Sequence, residues 1–506
     1  MRQLRSDDSS SLTVQLALPP PRSQGGRGFN VPYPAIHWLK DDILLSIFHC
    51  YRLDEKNGWN DRHGWRNLSQ VCERWRHLIY ECAFDLGVHI KCTNGSSIVG
   101  TLDHLPPLPL FVSYDEWNAK LTEQDELSIY HALRMHGRVR HIDLNLHPFM
   151  LPKVVMLSMD EHFPILEYLS LSFTSLSVAI KNNLPLTFPK AFLAPNLRHL
   201  ALPSIIPPRR LRVLTSTVSL ITLKLRDIQT SSYFRPRLLV ARLRSLPLLE
   251  ELTIEFSIPI PHPGTEKELL GENGALITLP SLKTLQFHGV GAYLESLVAQ
   301  VSVPLLELLK IKLFNQITLV LPHLFYLINI TKVFKLYRMR VEFHHDEVRI
   351  STLGKAPFSL CVMRKPLDGQ LDCAAQICHA LIPTLSSVQN LSLSSYRETP
   401  IELRDGAVDS TKWHDLLRSF IGVKELDIYW YGLLLDELSC ALQGDEVGSD
   451  PEFLPNLRSI RARLNLFTTF IRTRQVVGRP VHFSQSIIDP TVLSYLNSNQ
   501  LVWYSM

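Results

Sequence analysis

Apolar side chains along this chain follow two different periods. Over residues 39–51, Leu39, Ile43, Leu44, Ile47, Phe48 and Tyr51 recur at the spacing that lines one face of a helix. Asp41 and Asp42 occupy what would be its first turn, where carboxylates favour the positive end of the helix dipole. After a polar stretch from Arg52 to Gly64, a second stripe runs through Trp65, Leu68, Cys72, Trp75 and Ile79, widened by Val71 and Leu78. Arg74, Arg76 and His77 fill its other side. Two helices of a small module are therefore predicted. Residues 1–30, rich in Ser, Pro, Gly and Arg and without periodicity, read as a disordered tail.

From about Arg138 the pattern changes to a repeated unit, apolar-x-x-apolar-x-apolar. It occurs as VRHIDL at Val139, LEYLSL at Leu166, LRHLAL at Leu197, LITLKL at Leu220, LEELTI at Leu249, LKTLQF at Leu282 and LELLKI at Leu306. It returns as VQNLSL at Val388, VKELDI at Val423 and, more weakly, LRSIRA at Leu457. The steps run from 23 to 35 residues, apart from one gap of 82. In each unit the last two apolar residues flank one polar residue, so both point the same way from a short strand. One such unit cannot cover its own apolar face, so neighbours must stack, and the predicted fold is an α/β repeat solenoid with a curved parallel sheet. The long gap should hold two or three divergent units; the stretches Ile330 to Phe343 and Val348 to Val362 alternate like strands. The resulting plan is a tail over 1–30, a helical module over 31–92, a linker or entry to the repeats over 93–134, the irregular solenoid over 135–470 and a C-terminal cap over 471–506.

Composition narrows the function classes. Of 506 residues, 45% are apolar and 20% charged, which is globular, and 52 basic against 48 acidic residues leave a net charge of +4, no basis for nucleic-acid binding. The most apolar run, Ile317 to Ile330, is too short to span a bilayer, and the first residues lack an export signal. The expectation is an intracellular protein, of the cytoplasm, the nucleus or both, with no membrane partner. The 8 cysteines form no CxxC pair, and Cys373, Cys378 and His379 lack zinc-ligand spacing. Adjacent His344 and His345 would point to opposite faces of a strand. Gly25-Gly26-Arg27-Gly28 lacks the preceding strand and the Lys-Ser/Thr of a phosphate loop, and no GxSxG or HExxH motif occurs. The sequence predicts no catalytic residue, no cofactor and no metal: a protein that works by binding rather than as an enzyme.

Taken together, LKDDILLSIF, a loop and WRNLSQVCERWRHLI resemble the F-box, through Leu39, Ile43, Leu44, Ile47, Phe48, Val71, Cys72, Trp75 and Arg76. The repeats resemble the irregular leucine-rich repeats that follow an F-box in fungal-type proteins, and the whole resemblance covers about residues 31–470. The resemblance implies docking of a Skp-type adaptor of a cullin-RING (SCF) ubiquitin ligase through Leu39, Ile43, Leu44, Ile47, Phe48, Val71, Cys72 and Trp75, and recruitment of a target protein by the repeats. The alternative is a leucine-rich-repeat binding scaffold that does not engage the ligase. Two departures bear on it: Lys40 stands where the motif has Pro, and the loop between the helices is long. Target contacts are expected on the concave strand face, at Tyr168, His199, Lys224, Arg226, His288, Lys310, Lys312 and Tyr429, with the four cations suggesting an acidic target patch. The Asn or Cys that such repeats carry eight residues after the first position is replaced by residues such as His147, Thr174, Ile228, Ser257 and Phe314, with Asn465 the one Asn, which predicts irregular turns after the strands.

Overall fold

The paired apolar residues of the repeat motif build one sheet. A computed structural model describes residues 38–53, 64–95, 106–117, 120–174, 192–203, 217–229, 233–257, 275–314, 319–331, 337–352, 358–364, 367–395, 410–429, 454–462 and 467–485, together with positions 100, 102, 189, 214, 438–439 and 441–442. The chain divides into two units, Met1–Ile79 and Tyr80–Met506. The first holds helices α1 (Asp41–Leu53) and α2 (Gly64–Ser69) and most of α3 (Glu73–Glu81).

The second unit alternates strands with helices. It opens with β1 (Ile90–Cys92), β2 (Leu110–Asp115), α4 (Glu123–Arg134), β3 (Val139–Leu146), α5 (Met150–Ser158), β4 (Tyr168–Phe173), β5 (His199–Pro203) and β6 (Thr222–Ile228). It continues with α6 (Pro236–Leu243), β7 (Glu251–Phe256), β8 (Ile277–Thr278), β9 (Thr284–Gly289), α7 (Gly291–Val298), β10 (Val301–Ser302), β11 (Leu308–Leu313) and α8 (Pro322–Ile330). Then come β12 (Arg338–Phe343), β13 (Glu347–Thr352), β14 (Phe358–Met363), α9 (Leu367–Ala380), α10 (Ile382–Leu385) and β15 (Asn390–Ser395). The last elements are α11 (Ser410–Leu417), β16 (Glu425–Tyr429), β17 (Ser459–Ala462), α12 (Thr468–Val476) and β18 (His482–Gln485).

Sixteen strands form one sheet in the order β1-β2-β3-β4-β5-β6-β7-β9-β11-β14-β13-β12-β15-β16-β17-β18, and β8 pairs with β10 in a small parallel pair beside it. All neighbours in the large sheet are parallel except β14-β13-β12. Parallel pairing of consecutive strands needs a crossover connection between them, and the chain supplies one each time.

Every apolar pair named in the ten repeat motifs is buried, from Ile142 and Leu144 on β3 to Ile460 and Ala462 on β17. The pairs lie in register: Ile142 faces Leu169, Leu169 faces Leu200, Leu200 faces Leu223 and Leu223 faces Leu252. The residue just before each strand repeats a backbone pattern. Glu167 O accepts Arg198 N and His199 N, Ile221 O accepts Glu250 N and Glu251 N, Glu250 O accepts Lys283 N and Thr284 N, and Gln389 O accepts Lys424 N and Glu425 N. Each strand thus ties its main chain to the next across the sheet.

Four expectations are modified. The sheet begins at Ile90, before the repeats expected from residue 135: on β1 and β2 buried side chains alternate with exposed or half-buried ones, and α4 lies in the stretch read as linker or entry to the repeats. It also continues into the stretch read as cap, through β18. The 82-residue gap does hold strands where alternation suggested them, but β12, β13 and β14 form an antiparallel meander rather than parallel repeat units. The turn His344–Asp346, closed by His344 N on Glu347 O at 2.8 Å, is too short for a parallel crossover. Lastly, the turns after the strands do without the Asn ladder because the main-chain ladder runs one residue further: Thr174 N bonds Leu146 O, Ser257 N bonds Ile228 O and Phe314 N bonds Gly289 O. Asparagine works at the other end instead, where Asn196 Nδ2 donates to Pro164 O at 2.7 Å and Asn456 Nδ2 to Ile421 O at 2.8 Å.

Candidate functional site

Two surfaces stand out, one in each unit. In the first, α1 starts without a proline: Lys40 O accepts both Ile43 N and Leu44 N at 3.1 Å. Arg74 ties the start of α1 to α3, donating from Nη2 to Leu39 O at 2.5 Å and to Asp41 Oδ1 at 2.6 Å. The residue list expected to dock an adaptor separates into two sets. Leu44 and Phe48 are fully buried, Phe48 meeting the Trp75 ring edge-on at 5.0 Å, and Trp75 is buried with Leu78 and Ile79. Ile43 and Ile47, one residue back along the same helix, are 44% and 41% exposed, and Val71 and Trp38 are 57% and 82% exposed. Leu39 and Cys72 are half-buried. The split follows from helical geometry, since residues i and i+4 share a line and each line one residue away is turned by about 100°.

The second surface is the polar side of the large sheet. Across β2–β5 one register row reads Phe111, His141, Tyr168, His199, and continues to Thr222 on β6. Its rings stack across the strands. Phe111 and His141 lie 4.9 Å apart and His141 and Tyr168 4.1 Å, within 13° of parallel; Tyr168 and His199 are tilted at 5.9 Å. His89, just before β1, extends the row by stacking on Phe111 at 3.6 Å, and its Nδ1–H donates to Gly87 O at 2.8 Å. Burial holds the His89 and His141 imidazoles down to about 4, so both are neutral at pH 7. The next row toward the strands' ends is small or acidic: Ser113, Asp143, Ser170, Ala201. Burial raises the Asp143 pKa, a hydrogen bond with Ser170 opposes this, and the nearby Asp115 charge adds to it.

From β6 onward the same side carries charges matched across strands. Lys224 meets Glu251 at 3.0 Å, Arg226 meets Glu255 at 3.8 Å and Lys312 meets Glu347 at 2.9 Å. Glu347 also takes Arg349 at 2.7 Å; burial alone would raise its pKa, but Lys312 and Arg349 outweigh burial and hold it at about 2. Glu342 stands between Arg340 and Arg349, and Asp427 takes Arg461 at 3.3 Å.

The expected target residues therefore fall into different environments. Tyr168 and His199 belong to the ring row. His288 is half-buried, tilted against Phe314 at 4.8 Å, with burial lowering its pKa to about 4. Tyr429 is exposed on β16. Of the four cations, Lys224 and Arg226 are engaged by carboxylates of the neighbouring strand β7 and Lys312 by Glu347 of β13, two strands away, and of the four only Lys310 is exposed without an ion pair among the described residues. The basis for an acidic target patch is thereby largely removed, because those positive charges are cancelled within the sheet. Phe111, His141 and Asp143 were not among the expected contacts. The alternation in LFVSYD, over β2, is the signal that would have found Phe111.

Elsewhere the chemistry is sparse. Among the described residues no three His, Cys, Asp or Glu side chains are grouped to hold a metal ion. Burial pushes the Cys92 thiol up to about 12 and raises Cys361 and Cys378 further. A cavity of about 10 Å³ lined by Leu243, Leu252, Leu279, Leu285, Leu297 and Leu327 is apolar and has room for one water at most. No described helix is long and apolar enough to cross a membrane. No protein-family model matches the chain, and no curated protein matches it.

Proposed function

We propose that this chain is an F-box-type adaptor. Its helical module docks a Skp-type subunit of a cullin-RING ligase, and its strand–helix units, a solenoid of irregular leucine-rich-repeat type, hold a target protein for ubiquitin transfer. The observation that carries the reading is the division of α1. A helix that needs only Leu44 and Phe48 for its own packing also turns Ile43 and Ile47 to solvent, on a module where Trp38 and Val71 are exposed too. Apolar side chains kept outside in this way are the mark of a surface that buries itself against a partner, and i, i+4 anchors suit a helix-to-groove contact. The absence of Pro at position 40 does not count against it, since α1 begins on the Lys40 carbonyl without one. The order of the strands, each closing its backbone on the next, supports the stacked-repeat part of the reading.

The test is capture of the full chain by a purified Skp-type adaptor, comparing wild type with Ile43→Asp/Ile47→Asp. Both positions are exposed, so the double variant should unfold at the wild-type temperature and lose capture. Leu44→Asp or Phe48→Asp would instead destroy the fold and say nothing about docking. Failure of the folded wild-type chain to bind would leave a repeat scaffold that acts without the ligase.

A further inference from the structure

The two parts of the strand face differ in a way that bears on what they can hold. From β6 to β17, Glu251, Glu255, Glu347, Glu342 and Asp427 each stand within 4 Å of an arginine or lysine on the sheet. A charged partner would have to displace these pairs before gaining anything from them. On β2–β5 the row is made of rings, and Asp143 beside it has no ion pair among the described residues. Of the outward cations near the row, Arg140 is taken by Glu167 at 3.0 Å and lies over the Phe84 ring at 3.9 Å, while Lys91 stands in register with Phe111 on β1, two strand positions from Asp143.

The rings are poor in charge and already ordered. His141 is neutral at pH 7 and stacked on both sides, between Phe111 and Tyr168. A partner gains apolar contact there without freezing mobile side chains, which is the character of interface anchors. Ser113 and Ser170, on either side of Asp143 in its register row, are short, so the carboxylate is not screened by a tall neighbour. Asp115, two positions beyond Ser113 on β2, adds a second negative charge. This potential repels phosphates and carboxylates and attracts a cation.

We propose that the β2–β5 end of the strand face, with the Phe111, His141 and Tyr168 rings as its floor and Asp143 as its charge, docks an arginine- or lysine-bearing polypeptide segment of the target. The proposal rests on the adaptor reading only for calling that partner a target; the surface itself does not depend on the helical module.

The test uses the full chain and two fluorescein-labelled Gly-Ser peptides, one with arginines and one with glutamates at the same positions, followed by fluorescence anisotropy at low salt. The arginine peptide should bind roughly 10-fold tighter or better. Asp143→Asn should remove most of that preference, and Tyr168→Ala should weaken binding. Ser113→Lys, which places a cation beside Asp143 while leaving the carboxylate intact, should abolish it as well, so the result does not hang on one substitution. Arg461→Gln, among the matched charges but on β17 at the far end of the sheet order, should leave it unchanged. Equal binding of the two peptides, a preference that survives both Asp143→Asn and Ser113→Lys in folded protein, or binding of a labelled single-stranded oligonucleotide in place of the arginine peptide would overturn the proposal. Adaptor capture by the same preparations separates the two readings. Capture with no arginine preference rejects this surface alone; arginine preference with no capture rejects the ligase role alone.

Discussion

Glu295 illustrates how much single buried residues decide in this protein. It lies on α7 with its side chain 6% exposed, and its carboxylate accepts His323 N and His323 Nδ1–H, both at 2.6 Å, and Leu324 N at 3.2 Å. It therefore caps the first turn of α8, whose own preceding residue, Leu321, offers no capping side chain. Glu295→Ala should lower the unfolding free energy by about 1–3 kcal/mol in urea titration, since it strands those donors. Asp227 works in the opposite direction. It sits at φ 55 where the β6–β7 register shifts, and burial, with Glu255 nearby, raises its pKa to about 6. Asp227→Asn keeps a residue tolerant of that conformation and removes a charge that burial disfavours, so the melting temperature at pH 7.5 should rise. The histidines set a pH dependence. His89, His141 and His288 are each lowered from 6.5 to about 4, by burial first. Between these values the unfolded chain binds protons that the folded chain does not, so stability should fall as pH drops from about 6.5 toward 4. His141→Phe, which keeps a ring in the row, should make that fall shallower in denaturant midpoints measured across the window.

Among the elements, α1 shows why a stripe of apolar residues is not yet a binding site. Phe48→Ala should cost about 3–5 kcal/mol in the thermal or chemical unfolding of the helical module, because Phe48 is fully buried against Trp75. Ile47→Ala, at an exposed position, should stay within about 0.5 kcal/mol of wild type. Periodicity in LKDDILLSIF makes all of these residues one face, and only the packed neighbours divide that face into an inner and an outer line. The strands behave similarly. Leu169 and Leu171 were legible as core residues from the motif alone, but that Lys224 would be held by Glu251 depended on the register between β6 and β7.

At the scale of the whole sheet, the carbonyls before the strands bond each strand to the one beside it. Asn196 and Asn456 reinforce that seam from β5 and β17, which stand ten strand positions apart in the sheet order. At about 4.8 Å per strand they share no neighbours. Asn196→Ala and Asn456→Ala should each cost about 1 kcal/mol in denaturant unfolding, and the double variant should cost the sum within about 0.5 kcal/mol. A markedly larger or smaller double-variant effect would mean that the sheet does not respond locally. The antiparallel β12–β14 meander is the one departure from parallel order in that sheet, and the next parallel strand, β15, pairs with β12 rather than β14.

The sequence by itself determined which residues face the core of the strands, that one strand motif recurs along the chain, and that residues 39–51 and 65–79 each carry an apolar stripe, the second of which, read as one helix, the structure divides between α2 and α3. These properties follow from periods of two and 3.6 residues and from the impossibility of leaving the apolar side of a single unit uncovered. Tertiary structure decided what the polar side does. Whether an outward lysine is free or matched, whether an isoleucine is packed or exposed, and whether a histidine is neutral all depend on residues brought alongside from other units. Pattern along one segment does not encode register, and register is what set Phe111 beside His141 and left Asp143 without an ion pair among the described residues.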